Sequence, residues 1–98
     1  MEDKLKAARE KINEVDEKIA KLFVERMEAV KDVAEYKAEN NMPIFDSSRE
    51  KEVIEKNSKR VEDEVLRTYY IDFLKSTMDI SKEYQRKLLE GRKERSDK

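Results

Sequence analysis

The sequence predicts an all-α protein of three helices, the first of them long. Three observations carry this. Gly91 and Pro43 are the only glycine and proline in 98 residues, which favours few, long helices. Good helix formers (Ala, Glu, Lys, Leu, Arg) dominate, and Val, Ile and Thr are scarce. Apolar residues recur at alternating steps of three and four along the first forty positions.

The first helix is expected from about Asp3 to about Asn40. Its seam reads Leu5, Ala8, Ile12, Val15, Ile19, Leu22, then Ala29, Val33 and Tyr36, widened by Phe23, Met27 and Val30. Asn40, Asn41 and Pro43 stop it, because proline cannot continue the hydrogen-bond ladder and restricts the residue before it. A short connection, Asn41 to Asp46, leads to a second helix starting at Asp46 or Ser47. Ser47 with Glu50 three residues on fits a capping box. This helix is polar, with Val53 and Ile54 as its main apolar contacts, and it weakens near Asn57-Ser58. The third helix is expected from about Glu62 to about Glu90. Its inner face reads Leu66, Tyr70, Phe73, Leu74, Thr77, Ile80 or Ser81, Tyr84 and Leu88. Gly91 is expected to cap it, with 91–98 as a frayed tail. All of 1–98 is read as one domain, without a further domain for feedback control.

Length predicts the dimer. About 37 helical residues extend for about 55 Å. A compact domain of this size has a radius of gyration of roughly 13 Å and a diameter near ~33 Å. The first helix overhangs such a domain while its seam stays apolar, and the economical cover is a second copy related by a two-fold axis.

Composition excludes several functions. Lys plus Arg number 23 and Asp plus Glu 24, for a net charge of −1, so no basic excess marks a nucleic-acid partner. Cysteine and histidine are both absent, which removes disulfides, thiolate metal sites, the usual general base and the commonest metal ligand. No signal-peptide core or membrane-length apolar run appears, and the expected location is the cytoplasm.

The informative residues are charges in apolar positions. Continuing the seam from Leu22 reaches Arg26 before Ala29. A guanidinium there needs a partner. The partner is either an acidic side chain or an anionic ligand, since arginine grips carboxylates through two parallel hydrogen bonds. Lys37 lies eleven residues on, close to three turns, with its Cα ~16 Å away. The two side chains can close on a small anion, although a lysine in phase is common in so charged a chain. Arg9 is also in phase but about 25 Å before Arg26. It pairs across an interface, for instance with Asp16, or reaches the site of the partner subunit. Ser81 and Gln85 form a neutral i,i+4 pair, either a satisfied core pair or part of a polar site. Arg49 and Glu50 open the second helix, where the positive helix end favours an anion.

Together these residues resemble the all-helical class of chorismate mutases, from about Leu5 to Leu89. Ala8-Arg9-Glu10-Lys11-Ile12 with Val15-Asp16 is similar to that family's first-helix motif, and Glu25-Arg26 with Val33 and Lys37 to its continuation. Pro43-Ile44-Phe45-Asp46-Ser47-Ser48-Arg49-Glu50 resembles the loop and second-helix start. Met78-Asp79-Ile80-Ser81-Lys82-Glu83-Tyr84-Gln85 resembles the third-helix signature.

The resemblance implies an intertwined homodimer that rearranges chorismate to prephenate, on the route to phenylalanine and tyrosine, without cofactor or metal. It implies that Arg26 and Arg49 of one chain and Arg9 of the other bind the substrate carboxylates, with Ser81 assisting. It implies that Lys37 and Gln85 hydrogen-bond the ether oxygen of the breaking bond. Glu50 would accept from the substrate hydroxyl with Asp46 helping, and Val33 and Met78 would supply apolar wall. A register one residue earlier would put Ile80 and Tyr84 in the polar slots, and donors at i,i+4 favour Ser81 and Gln85. Two rivals remain: an isochorismate pyruvate-lyase on the same fold, and a non-enzymatic helical dimerisation module in which Arg9, Arg26 and Lys37 are interface ion pairs.

Overall fold

A computed structural model describes the backbone of residues 2–96 and the side chains of residues 3–92. Three helices follow in order, α1 (Glu2–Glu39), α2 (Ser47–Ser58) and α3 (Glu64–Ser96), and the described residues include no strand. The chain divides into two compact units, the first ending at Val30 and the second starting at Lys31.

The first unit is the greater part of α1. Its seam is apolar as the periodicity predicts, yet Leu5, Ile12, Ile19, Leu22 and Phe23 are all exposed within one chain. Burying a side chain of this kind is worth ~1.5–3 kcal/mol. A row of them left in water has a large unrealised stabilisation.

The second unit holds the end of α1, α2 and α3. α1 stops where the sequence indicates, through a Schellman-type cap. Asn41 takes a φ of 53°, in the left-handed region that asparagine tolerates better than most residues. The Met42 amide then donates to the Lys37 carbonyl at 2.8 Å and the Asn40 amide to Tyr36 at 3.1 Å.

At α2 the cap differs from expectation. Asp46, not Ser47, is the N-cap, with extended backbone (φ −134°, ψ 96°). Its carboxylate accepts from the Arg49 amide at 3.1 Å and from the Ser48 hydroxyl at 2.8 Å. A charged acceptor binds the orphan amides of a helix start more strongly than a hydroxyl does. Glu50 consequently does not act as the return half of a capping box but reaches α3. Val53, Ile54 and Asn57 are half-buried on α2, and α2 packs on α3.

α3 begins two residues later than expected because Asp63 caps it, its carboxylate accepting from the Leu66 amide at 2.9 Å. It also runs past Gly91 to Ser96. A glycine costs a helix only about 1 kcal/mol relative to alanine, and the helix formers around it outweigh that. Gly91 is therefore not a cap, and 91–96 are helical; the last two positions of the expected tail, 97 and 98, lie outside the described residues. Among the described residues the buried apolar side chains are Ala34, Leu74 and Met78, joined by the polar Ser81 and Gln85. Steps of four, three and four put the last four on one face of α3. Leu66 and Phe73, expected on the inner face, are more than half exposed within one chain.

Candidate active site

In the second unit, the α1 cap also fixes Lys37. The backbone turn returns the chain past its side chain, and the Lys37 ammonium donates to the Ile44 carbonyl at 2.9 Å. Two residues on, Asp46 starts α2. The Arg49 amide, and after it the Ser48 hydroxyl, hold the Asp46 carboxyl below its ordinary value, with the charge of Lys37 acting in the same direction. Lys37 and Asp46 are thus neighbours across the turn.

Arg49 and Glu50 occupy the first turn of α2 and point to different partners. The Arg49 guanidinium pairs with Glu52 at 2.8 Å, and both side chains are well exposed. An exposed i,i+3 pair contributes little, so this guanidinium can exchange its partner for a ligand carboxylate at small cost. Glu50 instead meets the Lys82 ammonium of α3 at 2.9 Å. Lys82 also approaches Asp79 at 3.3 Å and stands 4.8 Å above the Phe45 ring. The hydrogen bond to Glu50, with that to Asp79 and against the cost of burial, raises the Lys82 ammonium above its ordinary value.

Ser81 and Gln85 lie on the buried face of α3, each 6% exposed, whereas Ile80 is half exposed. The Ser81 hydroxyl donates to the Thr77 carbonyl at 2.9 Å, a back-bond to the preceding turn. Serving a carboxylate would require it to rotate. The Gln85 side chain carries the sharper signal. Its Oε1 is buried and accepts no hydrogen bond from the described residues. Buried amide oxygens are nearly always satisfied, so this acceptor is open to a hydrogen-bond donor. Met78 is buried one turn before Ser81, and Val33 on α1 is about half exposed.

Arg9 and Arg26 belong to the first unit and are exposed there along the apolar seam. The candidates Lys37, Asp46, Arg49, Glu50, Ser81 and Gln85 all belong to the second. There, direct contacts join Lys37 to the loop before α2, and Glu50 to α3. A shallow groove of about 430 Å³ runs along the start of α2, lined by Phe45, Ser47, Ser48, Glu50, Lys51 and Ile54. A separate cleft of about 330 Å³, between Lys31, Ala34, Glu35, Leu88, Leu89 and Arg92, contains none of the candidates. No group of carboxylates fit to hold a metal occurs among the described residues.

Sequence reasoning missed Lys82. It is one of many lysines, it breaks no apolar pattern, and its partner lies 32 positions away, so nothing local distinguishes it.

Several known proteins are similar to this chain. A chorismate mutase of Methanocaldococcus jannaschii is 46% identical over 56 residues, 57% of this chain and 57% of that protein. A bifunctional chorismate mutase/prephenate dehydratase of Buchnera aphidicola from Acyrthosiphon pisum is 46% identical over 48 residues, 49% of this chain and 12% of the relative. Its counterpart in Aquifex aeolicus is 39% identical over 54 residues, 55% of this chain and 15% of the relative. The matched stretch thus spans little more than half of the first relative and a small part of the other two. No solved structure gives a significant match. The family match is broader, because it runs from Ala8 on α1 to Arg86 on α3 and takes in every candidate side chain on all three helices; the chain belongs to the chorismate mutase type II family.

Proposed function

We propose that the chain is a chorismate mutase, one domain over 1–98, acting in the cytoplasm as an intertwined homodimer. It rearranges chorismate to prephenate in aromatic amino-acid biosynthesis. The observation that carries the reading is the buried polar row on α3. Ser81 and Gln85 sit one turn apart on the buried face, where the Gln85 amide nitrogen is the group that donates, inside a family match that spans the three helices.

The chemistry suits these side chains. A [3,3] rearrangement breaks a C–O bond and forms a C–C bond within one molecule, so it needs no nucleophile, proton carrier, metal or cofactor. What lowers the barrier is a substrate held folded in a near-attack shape and hydrogen-bond donors set where charge grows on the ether oxygen. Arg26 and Arg49 bind the two carboxylates together with Arg9 of the partner subunit, and Ser81 assists there. Lys37 and Gln85 donate to the ether oxygen. Glu50 accepts from the substrate hydroxyl, with Asp46 beside it, and Val33 and Met78 form apolar wall.

The dimer is supported by the exposed seam. Ile12, Ile19 and Leu22 are each about half exposed in one chain, and a second copy is the partner that buries the same patch on both sides. It also brings in a second Arg9, which one chain's helix geometry keeps about 25 Å from its own Arg26.

The test is direct turnover. The purified chain is expected to consume chorismate and form prephenate. Pyruvate release from isochorismate in excess of that activity would reassign the reaction, and turnover of neither substrate would favour a non-enzymatic module.

A further inference from the structure

We propose that Lys82 is a positioning residue for Glu50, fixing which carboxylate oxygen faces the substrate and offsetting its charge. The inference rests on the chorismate mutase reading, in which Glu50 stands against a substrate that itself carries two carboxylates. An uncompensated Glu50 would repel such a dianion while accepting its hydroxyl. The structure supplies the compensation from α3. The Lys82 ammonium lies 2.9 Å from Glu50 Oε2, with the two side chains only 16% and 26% exposed. That burial separates this pair from the exposed i,i+3 pairs Lys11–Glu14, Arg49–Glu52 and Arg86–Glu83, which water and salt screen.

Three contacts determine where the ammonium sits. Glu50 attracts it from α2, Asp79 holds it at 3.3 Å from one turn back on α3, and the Phe45 ring presents its negative face at 4.8 Å. Asp79 is three-quarters exposed, so it steadies the lysine without demanding its charge. With Oε2 engaged by Lys82, Oε1 is the oxygen left to accept from a substrate hydroxyl. Lys82 does not touch the reacting atoms; it acts through Glu50.

The test is a double-mutant cycle on the full chain. Lys82→Met should raise KM for chorismate about tenfold, the size of one partly buried charge interaction, and change kcat less. In a Glu50→Gln background the same replacement should have little effect, because the charge it offsets is gone. Lys82→Arg should retain most of the affinity. Should Lys82→Met fold poorly, Lys82→Gln serves in its place, with circular dichroism as the check. A separate readout needs no substrate: Lys82 should titrate above ordinary lysines by NMR in the unaltered chain, and Glu50→Gln should return it towards them. Equal KM in Lys82→Met and the unaltered chain, or additive effects in the cycle, would overturn the inference and leave the mutase reading intact. Absence of turnover by the unaltered chain would overturn both.

Discussion

The two units of this chain solve different problems with the same helix. The portion of α1 up to Val30 has an apolar seam broken only at Arg26, and its large side chains are left exposed within one chain. The portion after it belongs to a unit whose polar groups find partners across elements: Lys37 on Ile44, Glu50 on Lys82. One region leaves its apolar side chains exposed within one chain, and the other is already organised around contacts between side chains.

Attacking the seam should have the largest effect. Placing two carboxylates in it, Ile19→Glu with Leu22→Glu, should abolish dimerisation and with it activity, seen by light scattering and far-ultraviolet circular dichroism. A folded monomer of normal turnover would show that the seam is mere surface. Next comes the donor fixed by the α1 cap. Lys37→Ala should lower kcat about 10²–10³-fold, the usual cost of one preorganised donor at a developing oxyanion, with a smaller change in KM. Normal turnover in that variant would remove Lys37 from the chemistry.

Replacing the buried amide probes the same site through pH. Gln85→Glu sets a carboxyl where we propose that Gln85 donates. Ionised, it repels the growing charge, and only its protonated form can donate. Activity should fall about 10²-fold near neutrality and recover as the pH is lowered, whereas the unaltered enzyme has no such acid requirement. A variant with the parent's pH profile would place Gln85 away from the ether oxygen. The smallest effect belongs to the α2 cap. Asp46→Ala should lower Tm by a few degrees. Because its capping bonds depress the Asp46 carboxyl, that stabilisation is complete above the ordinary aspartate value. It is lost as the pH falls through the lowered one. The difference in Tm between the two proteins should therefore vanish in strong acid. For Lys82, raised by Glu50, the sign is opposite. Its contribution is complete below the ordinary lysine value and is lost as the pH rises through the raised one.

The fold was legible where a local rule acted alone. The end of α1 followed from Asn41 and Pro43, since the left-handed turn and the proline break operate within a few residues. The ends of the other helices shifted where two local signals competed: Asp46 outbid Ser47 as a cap, and the helix formers around Gly91 outweighed it. The site was legible in part. Spacing put Ser81 and Gln85 together, and both are buried while Ile80 is not. Lys82 was invisible because its significance comes from Glu50 on another helix, a contact no periodicity encodes.

The central claim is that each active site takes Arg26 from one chain and Arg9 from the other. Mixing chains tests it most directly. Arg9→Ala and Arg26→Ala variants, each nearly inactive alone, are unfolded together and refolded at equal amounts. Half of the dimers are then mixed, and in each of these one of the two sites has both arginines. The account predicts recovery to about a quarter of the unaltered activity. A refolded mixture no more active than the two variants kept apart would contradict it.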